Sequence, residues 1–489
     1  METGLNILIY RTLKEALRKL LPGTLRYRCS ITATYGCRLV VCASLILALS
    51  IGPMAYPRQA LAQGGAQLLR DTETERLLYD MATPIFTAAG VSPKAVRIGI
   101  IQDNTLNAFV TQGLNMFFHT GLLLEAGSAE EVIGVMAHET GHIAGGHLIR
   151  LRGTVQSAST QAILTTLLGI AAAIGTGRGD IGAAVISGGQ EIANRSILSF
   201  SRAQEASADA AGMSFLTASG QSAHGFLRFM ERLGEQDLLP ANRQVEYART
   251  HPLTRNRVQA IRAYVAQHGT EEIKVSPDMA DRFARMQAKL RAYLFPRIAF
   301  QRFPASDQSI TAQYARAVAL WRTDDISGAI KALDRLIAEE PENPYFHELM
   351  GQIYFESGKI DEAVTAYAKA ADILPDAALL QTSYAQALIA KDDKASLELA
   401  RDRLQLAVRQ EPNSPFSHRL LARAYGGLGL EGPARLHLAE EAVLKRDLKV
   451  ARANLERAKD AIPVDDGPNR IRLNDLENQI NELEADSDE

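Results

Sequence analysis

Apolar positions in the first part of the chain switch between helical and strand spacing. Over 70–90 they recur at helical spacing, which predicts a helix that Pro84 kinks or splits. Alternating apolar and polar residues over 95–102, 107–110 and 115–119 then predict short strands. We therefore expect a small sheet beside helices, and an edge of this sheet could hold an extended peptide.

Helical spacing resumes after these strands and continues from Ser128 to Arg150. Ser128 is a good N-cap residue, and Glu131 is placed to complete a capping box with it. We expect one continuous helix over 128–150, with its apolar positions turned toward a core.

The last third of the chain repeats a pattern of small and aromatic residues that ends at a proline. Similar runs end at Pro341, Pro375 and Pro412, spaced by 34 and then 37 residues, and a period near 34 is typical of tetratricopeptide repeats. Stacked helix pairs of this kind bury the faces between them and present a concave surface to proteins. The clearest copy of the pattern is Gly351, Tyr354, Gly358, Ala363, Tyr367, Ala370 and Pro375.

The first 62 residues resemble an export signal. A basic n-region ends at Arg38, an apolar run covers 39–52, and Ala60-Leu61-Ala62 gives a cleavage site. The apolar run is short for a membrane-spanning helix, although an uncleaved anchor is the alternative. All three cysteines precede the expected cut, so the exported protein would contain no thiol, which suits the periplasm of a Gram-negative bacterium.

Composition narrows the choice of partners. The chain has 489 residues, enough for two or three domains, and its net charge is −3. Basic residues are concentrated in the expected export signal, which leaves the remainder mildly acidic. We therefore expect no nucleic-acid partner.

Two apolar segments, 161–174 and 181–189, flank a glycine-rich turn. Neither reaches the roughly 20 residues that a membrane-spanning helix needs. They could form a hairpin packed on the domain core, or a mobile hairpin over 161–189 that gates a site or contacts a membrane peripherally. Both interpretations stay open.

The helix predicted over 128–150 carries His138, Glu139 and His142. Residues four apart share a helix face, so both imidazoles can bind one metal ion. Imidazole suits Zn²⁺, which lowers the pKa of a bound water, and Glu139 can accept the proton of that water. The alternative is a core helix with hydrogen-bonded histidines. On a continuous helix His147 points away from the shared face, so we expect it at the surface or behind the ligands.

A helix predicted over 201–215 can supply a third ligand. Glu205 and Asp209 are four residues apart and share a face. Glu205 would complete a His₂Glu zinc site, and Asp209 could hold the other ring nitrogen of a ligand histidine. The alternative is two solvated carboxylates on a surface helix.

His251 precedes Pro252, which favours an extended backbone and places this histidine in a loop or at the start of a helix. It could stabilise the oxyanion of the reaction, or occupy the fourth zinc position and keep the enzyme latent. Thr250, His251 and Pro252 could also simply cap the next helix. These three roles stay open.

The combined motifs resemble the gluzincin metallopeptidases that include the heat-shock protease HtpX and the CAAX prenyl endopeptidases. The resemblance implies one zinc ion per chain on His138, His142 and Glu205. It further implies that Glu139 activates water and that Asp209 has a supporting or proton-donating role. In periplasmic members, a histidine such as His251 is implied near the zinc. The matching stretches are NAFV at 107–110, HTGLL at 119–123, HETGH at 138–142, ExxAD at 205–209 and THPLTRNRV at 250–258.

The expected fold is mainly α, with a zincin-like α+β metallopeptidase domain that contains a small sheet, followed by an α-solenoid of tetratricopeptide repeats. Periplasmic members of this kind imply an endopeptidase that degrades stalled or misassembled outer-membrane proteins and contacts the barrel-assembly complex through its repeats. The alternatives are a chaperone or scaffold with a normally closed site, and a zinc-stabilised binding module. The expected segments are a signal peptide, a peptidase domain, a linking helix, the repeats and an acidic tail, over 1–62, 63–275, 276–308, 309–463 and 464–489. The tail is expected to fray or to form a short helix over 470–485.

Overall fold

A computed structural model describes residues 67–147, 150, 201–236, 247, 250–268 and 272–488. The expected export signal at 1–62 and the apolar hairpin at 161–189 lie outside these residues. Within the described ranges, no helix is both long enough and apolar enough to span a bilayer.

The sheet has four strands: β1 Leu68–Leu69, β2 Arg97–Ile101, β3 Ala108–Thr111 and β4 Asn115–His119. Their order across the sheet is β1-β2-β4-β3. β2 pairs with β4 in parallel, and the other two pairings are antiparallel. Sequence alternation predicted the three longer strands, whereas β1 has only two residues and therefore no alternation to detect.

Helices pack on this sheet and share one apolar core with it. The helix expected over 70–90 passes through Pro84 as one element, so Pro84 does not split it. The described helices here are α1 Thr72–Ala88, α2 Thr120–Glu125, α3 Ala129–Ala144, α4 at 201–218, α5 His224–Gln236 and α6 Arg255–His268.

Helix α3 differs from the expected helix at both ends. The side chain of Ser128 makes no cap hydrogen bond, and Glu131 Oε2 instead accepts one from the backbone nitrogen of Gly127 (2.9 Å). At the other end Gly146 has φ of +61°, a left-handed conformation that ends a helix. The predictions of a capping box and of one helix over 128–150 are therefore wrong.

Helix pairs form the rest of the chain, as the repeat pattern predicted. Two helices, α7 Pro277–Leu294 and α8 Pro296–Arg302, occupy the segment where one linking helix was expected. Pro296 begins the second of them, which separates the two. The pairs that follow are α9 Ile310–Arg322 with α10 Ile326–Glu339, α11 Pro344–Glu356 with α12 Ile360–Ile373, α13 Ala378–Lys391 with α14 Lys394–Gln410, and α15 Pro415–Gly427 with α16 Glu431–Leu444.

One hydrogen bond recurs where a repeat ends and the next begins. The side chain six residues after the repeat proline donates to the carbonyl oxygen of that proline, which ties the first turn of the new helix to the preceding loop. The three pairs are His347 with Pro341 (2.8 Å), Gln381 with Pro375 (3.2 Å) and His418 with Pro412 (3.0 Å).

The acidic tail is helical, as the alternative of a short helix over 470–485 allowed, and the helix is longer than that range. After α17, Leu448–Ala461, the chain forms α18, Gly467–Asp488. Leu473, Leu476 and Ile480 of α18 are buried in a cluster with α16 and α17. The tail is polar on average, but its few apolar residues lie at helical spacing and cover the end of the stack.

Charged residues join α1 to the repeats. Lys289 of α7 pairs with Asp71 and Glu73 (3.2 Å to the latter), and Tyr314 donates a hydrogen bond to Glu73 (2.8 Å). Thr72 donates to Glu348 on α11 (2.5 Å). Two carboxylates therefore pair with one largely covered lysine, and a third, Glu348, lies within its electrostatic influence.

This network predicts a pH-dependent stability. Burial raises the pKa of Glu348 to about 7 although Lys289 opposes the shift. The folded protein thus binds this proton more tightly than the unfolded chain, and stability falls as pH rises from about 4.5 to about 7. We expect Glu348→Gln to be more stable than wild type at pH 8 by about 1 kcal/mol, with a smaller gain at pH 5. Urea unfolding at both pH values measures this.

Glu362→Gln is the matched control, because Glu362 is an exposed carboxylate on the neighbouring helix α12. It should show the same small change at both pH values. An equal gain at pH 5 and pH 8 for Glu348→Gln would contradict the assigned proton.

Candidate metal centre

Two glycines let helices α3 and α4 touch through their backbones. A Cβ on Gly141 would lie 2.5 Å from the carbonyl oxygen of Ala208, and one on Gly212 would lie 2.9 Å from the backbone of Ala137. No side chain fits at either position without moving a helix. The glycine within HETGH therefore brings the carboxylates of α4 up to the histidines of α3.

Four buried side chains converge where these helices cross: His138, His142, Glu205 and His251. The Nε2 atoms of His138 and His142 are 3.1 Å apart, and each lies 3.4 Å from a Glu205 oxygen. Nδ1 of His251 lies 3.3 Å from both Glu205 oxygens and 3.3 Å from Nε2 of His138. The structure thus brings together all four side chains that the sequence suggested as ligands.

The donor set suits a zinc ion. Zinc takes imidazole nitrogen and carboxylate oxygen in a tetrahedron, and bonds of about 2 Å place neighbouring ligand atoms about 3.3 Å apart. The separations between His138, His142, Glu205 and His251 match that value. The cluster could therefore hold a metal with little movement of its side chains.

Asp209 and Arg257 contact the candidate ligands His138 and Glu205. Oδ1 of Asp209 lies 2.9 Å from Nδ1 of His138, the contact that orients a ligand imidazole. Arg257 donates to both oxygens of Asp209, from Nε (2.7 Å) and Nη2 (2.8 Å), and its Nη1 lies 2.9 Å from Glu205. Sequence reasoning assigned no role to Arg257, although this arginine lies in the THPLTRNRV stretch.

Neighbouring charges shift the pKa values in this cluster in the opposite direction to burial. Burial alone would lower the pKa of His138, but Asp209 and Glu205 raise it to about 9. Burial would raise the pKa of Asp209, yet Arg257 and His138 lower it to about 2. Asp209 is therefore ionised with both oxygens bonded, which favours the supporting role over the proton-donating role.

Glu139 is fully buried beside the cluster and keeps an unpartnered carboxylate. Neither of its oxygens has a hydrogen bond within the described part of the chain, and Oε1 lies 3.4 Å from Nε2 of His251. Burial raises its pKa, against the opposing influence of His251 and His138. A buried carboxylate without a protein partner is costly, so its presence here points to a role toward a bound molecule.

The loop that carries His251 is fixed on two sides. The backbone nitrogen of His251 donates a hydrogen bond to the carbonyl oxygen of Tyr247 (2.8 Å). The Tyr247 ring stacks on the imidazole of His251, with 4.6 Å between the ring centroids. Arg257 donates to the carbonyl oxygen of Pro252 (3.0 Å). Thr254, not residues 250–252, caps α6 by accepting from the Arg257 nitrogen (3.3 Å). The capping role for His251 is therefore wrong, and the zinc-ligand and oxyanion roles remain.

His147 lies behind His142 and is buried, so the alternative of a surface position is wrong. The Nδ1 atoms of the two rings are 3.0 Å apart. Helix α3 ends at Ala144, and Gly146 takes a left-handed conformation directly before His147. Gln204 of α4 donates to the carbonyl oxygen of His147 (3.0 Å), which fixes this turn.

Residues 69–265 match the family model of peptidase family M48, and residues 314–378 match a tetratricopeptide repeat model. The chain carries an M48 peptidase domain followed by tetratricopeptide repeats. These matches support a metalloprotease and confirm both the resemblance and the fold class that the motifs predicted. The M48 match contains all four candidate ligands and ends inside α6.

Curated relatives share the arrangement over much of their length. The chain is 24% identical over 444 residues to the beta-barrel assembly-enhancing protease of Yersinia pestis, covering 86% of this chain and 84% of the relative. It is 25% identical over 325 residues to the protein of that name in Escherichia coli K12, covering 65% of each. Among solved structures, the chain named MamA MSR-1 C2 is 22% identical, with a TM-score of 0.30, and covers 34% of this chain and 93% of its own length.

Proposed function

We propose that this protein is a zinc-dependent endopeptidase of the periplasm that degrades misassembled or stalled outer-membrane proteins. The observation that carries the proposal is the convergence of His138, His142 and Glu205 beside the unpartnered carboxylate of Glu139. A structural metal site would not need that buried carboxylate, whereas hydrolysis needs a base.

The chain's own groups fit the steps of peptide hydrolysis. Zinc, when bound by His138, His142 and Glu205, supplies Lewis-acid chemistry by polarising the scissile carbonyl and lowering the pKa of a water. Glu139 accepts the proton of the attacking water at a carboxylate oxygen and passes it to the leaving amine. Its raised pKa suits a group that must first take and then release a proton. Asp209 keeps the His138 ring in place meanwhile.

The relatives and the repeats support the proposed substrate class. Relatives named beta-barrel assembly-enhancing protease cover the peptidase domain and the repeats together. A repeat solenoid presents a surface for extended proteins, so we assign it the recruitment of substrate or of the barrel-assembly complex. Export by a cleaved signal peptide at 1–62 and peripheral membrane contact by 161–189 belong to the same proposal.

Removal of the metal tests the proposal. We expect a chelator such as 1,10-phenanthroline to lower cleavage of an unfolded outer-membrane barrel protein by at least about a hundredfold, because the carbonyl and the water lose their activating ion. Added Zn²⁺ should restore cleavage, and added Mg²⁺, which prefers oxygen ligands, should not. Cleavage that persists after the metal content has fallen to zero would contradict a metal-dependent reaction.

A chaperone or scaffold with a closed site is the second candidate, and His251 favours it. Nδ1 of His251 occupies the position of a fourth ligand, which is where a water must bind for catalysis. We therefore propose that the isolated protein is largely latent and that the loop at 251–252 must move before cleavage.

His251→Ala tests this latency. Three ligands remain, so we expect the zinc content to stay the same and basal cleavage to rise by about tenfold as the closed state is lost. His268→Ala is the control, because His268 is an exposed histidine at the end of α6. Steady-state cleavage and metal analysis of the same samples measure the effect. A fall in cleavage with zinc retained would instead support the oxyanion role.

A further inference from the structure

A second cluster of metal-ligand side chains lies in the repeats, outside the M48 match. His418 is on α15, and His437 and Glu440 are on α16. The two Nδ1 atoms are 3.1 Å apart, and each lies 2.8 Å from Oε2 of Glu440. Both histidines are buried. Three potential ligand atoms thus form one tight triangle inside a helix pair.

The backbone fixes the tautomer of His418. Its Nε2 lies 3.0 Å from the carbonyl oxygen of Pro412, which can only accept, so Nε2 carries the hydrogen. The neutral ring then turns the bare lone pair of Nδ1 toward His437 and Glu440. Metal-binding histidines in proteins use the same arrangement, with the distal nitrogen bonded to a carbonyl oxygen.

Glu440 is held so that one oxygen faces the two rings. Oε1 accepts from Nη2 of Arg472 (2.6 Å), which comes from α18. Oε2 is buried, and neither Nδ1 reaches it with hydrogen-bond geometry, although both lie 2.8 Å away. Among the described residues this buried carboxylate oxygen therefore points at two nitrogens without a hydrogen bond of ordinary geometry, and a cation between the three atoms would satisfy it.

We propose that His418, His437 and Glu440 bind a divalent transition metal ion of the zinc class. Two imidazole nitrogens and one carboxylate oxygen form a zinc donor set, and their separations need only a small expansion to reach the roughly 3.3 Å of a tetrahedral site. A cavity of about 360 Å³ borders His418 and Glu440 and leaves room for water as the fourth ligand. The bound ion joins α15 to α16 and, through Arg472, to α18.

The other repeats show which part of this cluster the fold alone explains. His347 and Gln381 occupy the position of His418 and make the same bond to a proline carbonyl. A donor at this position is therefore a feature of the repeat. His437 and Glu440 are not a feature of the repeat. In the preceding repeat the paired helix instead presents Arg403, whose Nη1 lies 3.5 Å from Oε1 of Gln381.

His418→Gln is the matched test, since glutamine at the same position of the preceding repeat keeps the bond to the proline. The purified full chain is stripped with a chelator, equilibrated with buffered Zn²⁺ and analysed for zinc per chain. We expect two zinc ions in wild type, one in His418→Gln and one in Glu440→Gln. His347→Gln, which removes a histidine from the equivalent position, should keep two. Peptide cleavage by His418→Gln should equal that of wild type.

The outcomes separate this proposal from the peptidase site. If the peptidase site binds no zinc, wild type should contain one zinc ion per chain and His418→Gln none. That result would support the repeat site while it contradicts the proposed peptidase site. A zinc count unchanged by His418→Gln and by Glu440→Gln would overturn the repeat site, with a shared proton then holding the three side chains. Loss of a zinc ion from His347→Gln would also overturn it, because the loss would then reflect damage to a repeat.

Discussion

Glu139→Gln will lower the kcat/KM for cleavage of an unfolded barrel protein by about a thousandfold and leave the zinc content and the fold unchanged. A positioned general base contributes about a hundredfold to ten-thousandfold, and an amide of the same size cannot accept the proton. The side chain is fully buried and has no hydrogen bond within the described residues, so the change breaks no hydrogen bond there and weakens only the 3.4 Å contact with His251. Stability should therefore stay equal or rise.

Glu130→Gln is the control for this variant. Glu130 lies on the same helix, and the new amide oxygen can still accept the hydrogen bond from the Val275 nitrogen. It should retain wild-type cleavage. Steady-state kinetics, metal analysis and thermal unfolding of the same preparations measure the three expectations. If Glu139→Gln cleaves as fast as wild type, the assigned base is wrong, whatever the role of the metal.

Arg257→Met will cost about 3–5 kcal/mol of stability and release the zinc ion. Arg257 is buried and binds Asp209 through two hydrogen bonds while it also pairs with Glu205. Methionine keeps most of the volume but leaves two buried carboxylates without their cation, which is the costly way to break a buried ion pair. Once Asp209 is no longer fixed, it cannot orient His138, so the metal site loosens as well.

Two further variants sharpen this expectation. Arg255→Met changes an exposed arginine of the same helix and should leave stability and zinc content unchanged. Arg257→Lys keeps the charge but loses the planar fork, so it should fall between wild type and Arg257→Met in urea midpoint and in zinc content. A wild-type midpoint for Arg257→Met would show that the arginine does not hold the two carboxylates.

Short-range patterns predicted most of the secondary structure and the candidate ligands. Spacing on one helix is a local property, so His138 and His142 could be paired from sequence, and Glu205 with Asp209 in the same way. The helix end was missed because Gly145 and Gly146 look permissive until one of them adopts a left-handed conformation. The helix of the tail was foreseen only as a short alternative, because its few apolar residues find their partners on α16 and α17, far from it in sequence.

The role of Arg257 could not be predicted from local sequence patterns. Its motif was visible, but a charged residue in a polar stretch gives no sign that it will be buried between two carboxylates of another helix. His147 was misplaced for a similar reason, since its direction depends on where α3 ends. The cluster in the repeats was also invisible, because His418 and Glu440 lie on different helices and share no local spacing.

The sequence by itself determined which ligand types, helical spacings and repeat period this protein has, because each of these depends only on residues that are close together in the chain. Only the tertiary structure decided which groups meet. It brought Nδ1 of His251 within 3.3 Å of His138 and Glu205, placed Asp209 beside His138 and left Glu139 without a hydrogen bond among the residues that the structure describes. These outcomes depend on how closely α3 and α4 approach, and that distance is fixed by glycines whose effect appears only when two backbones touch.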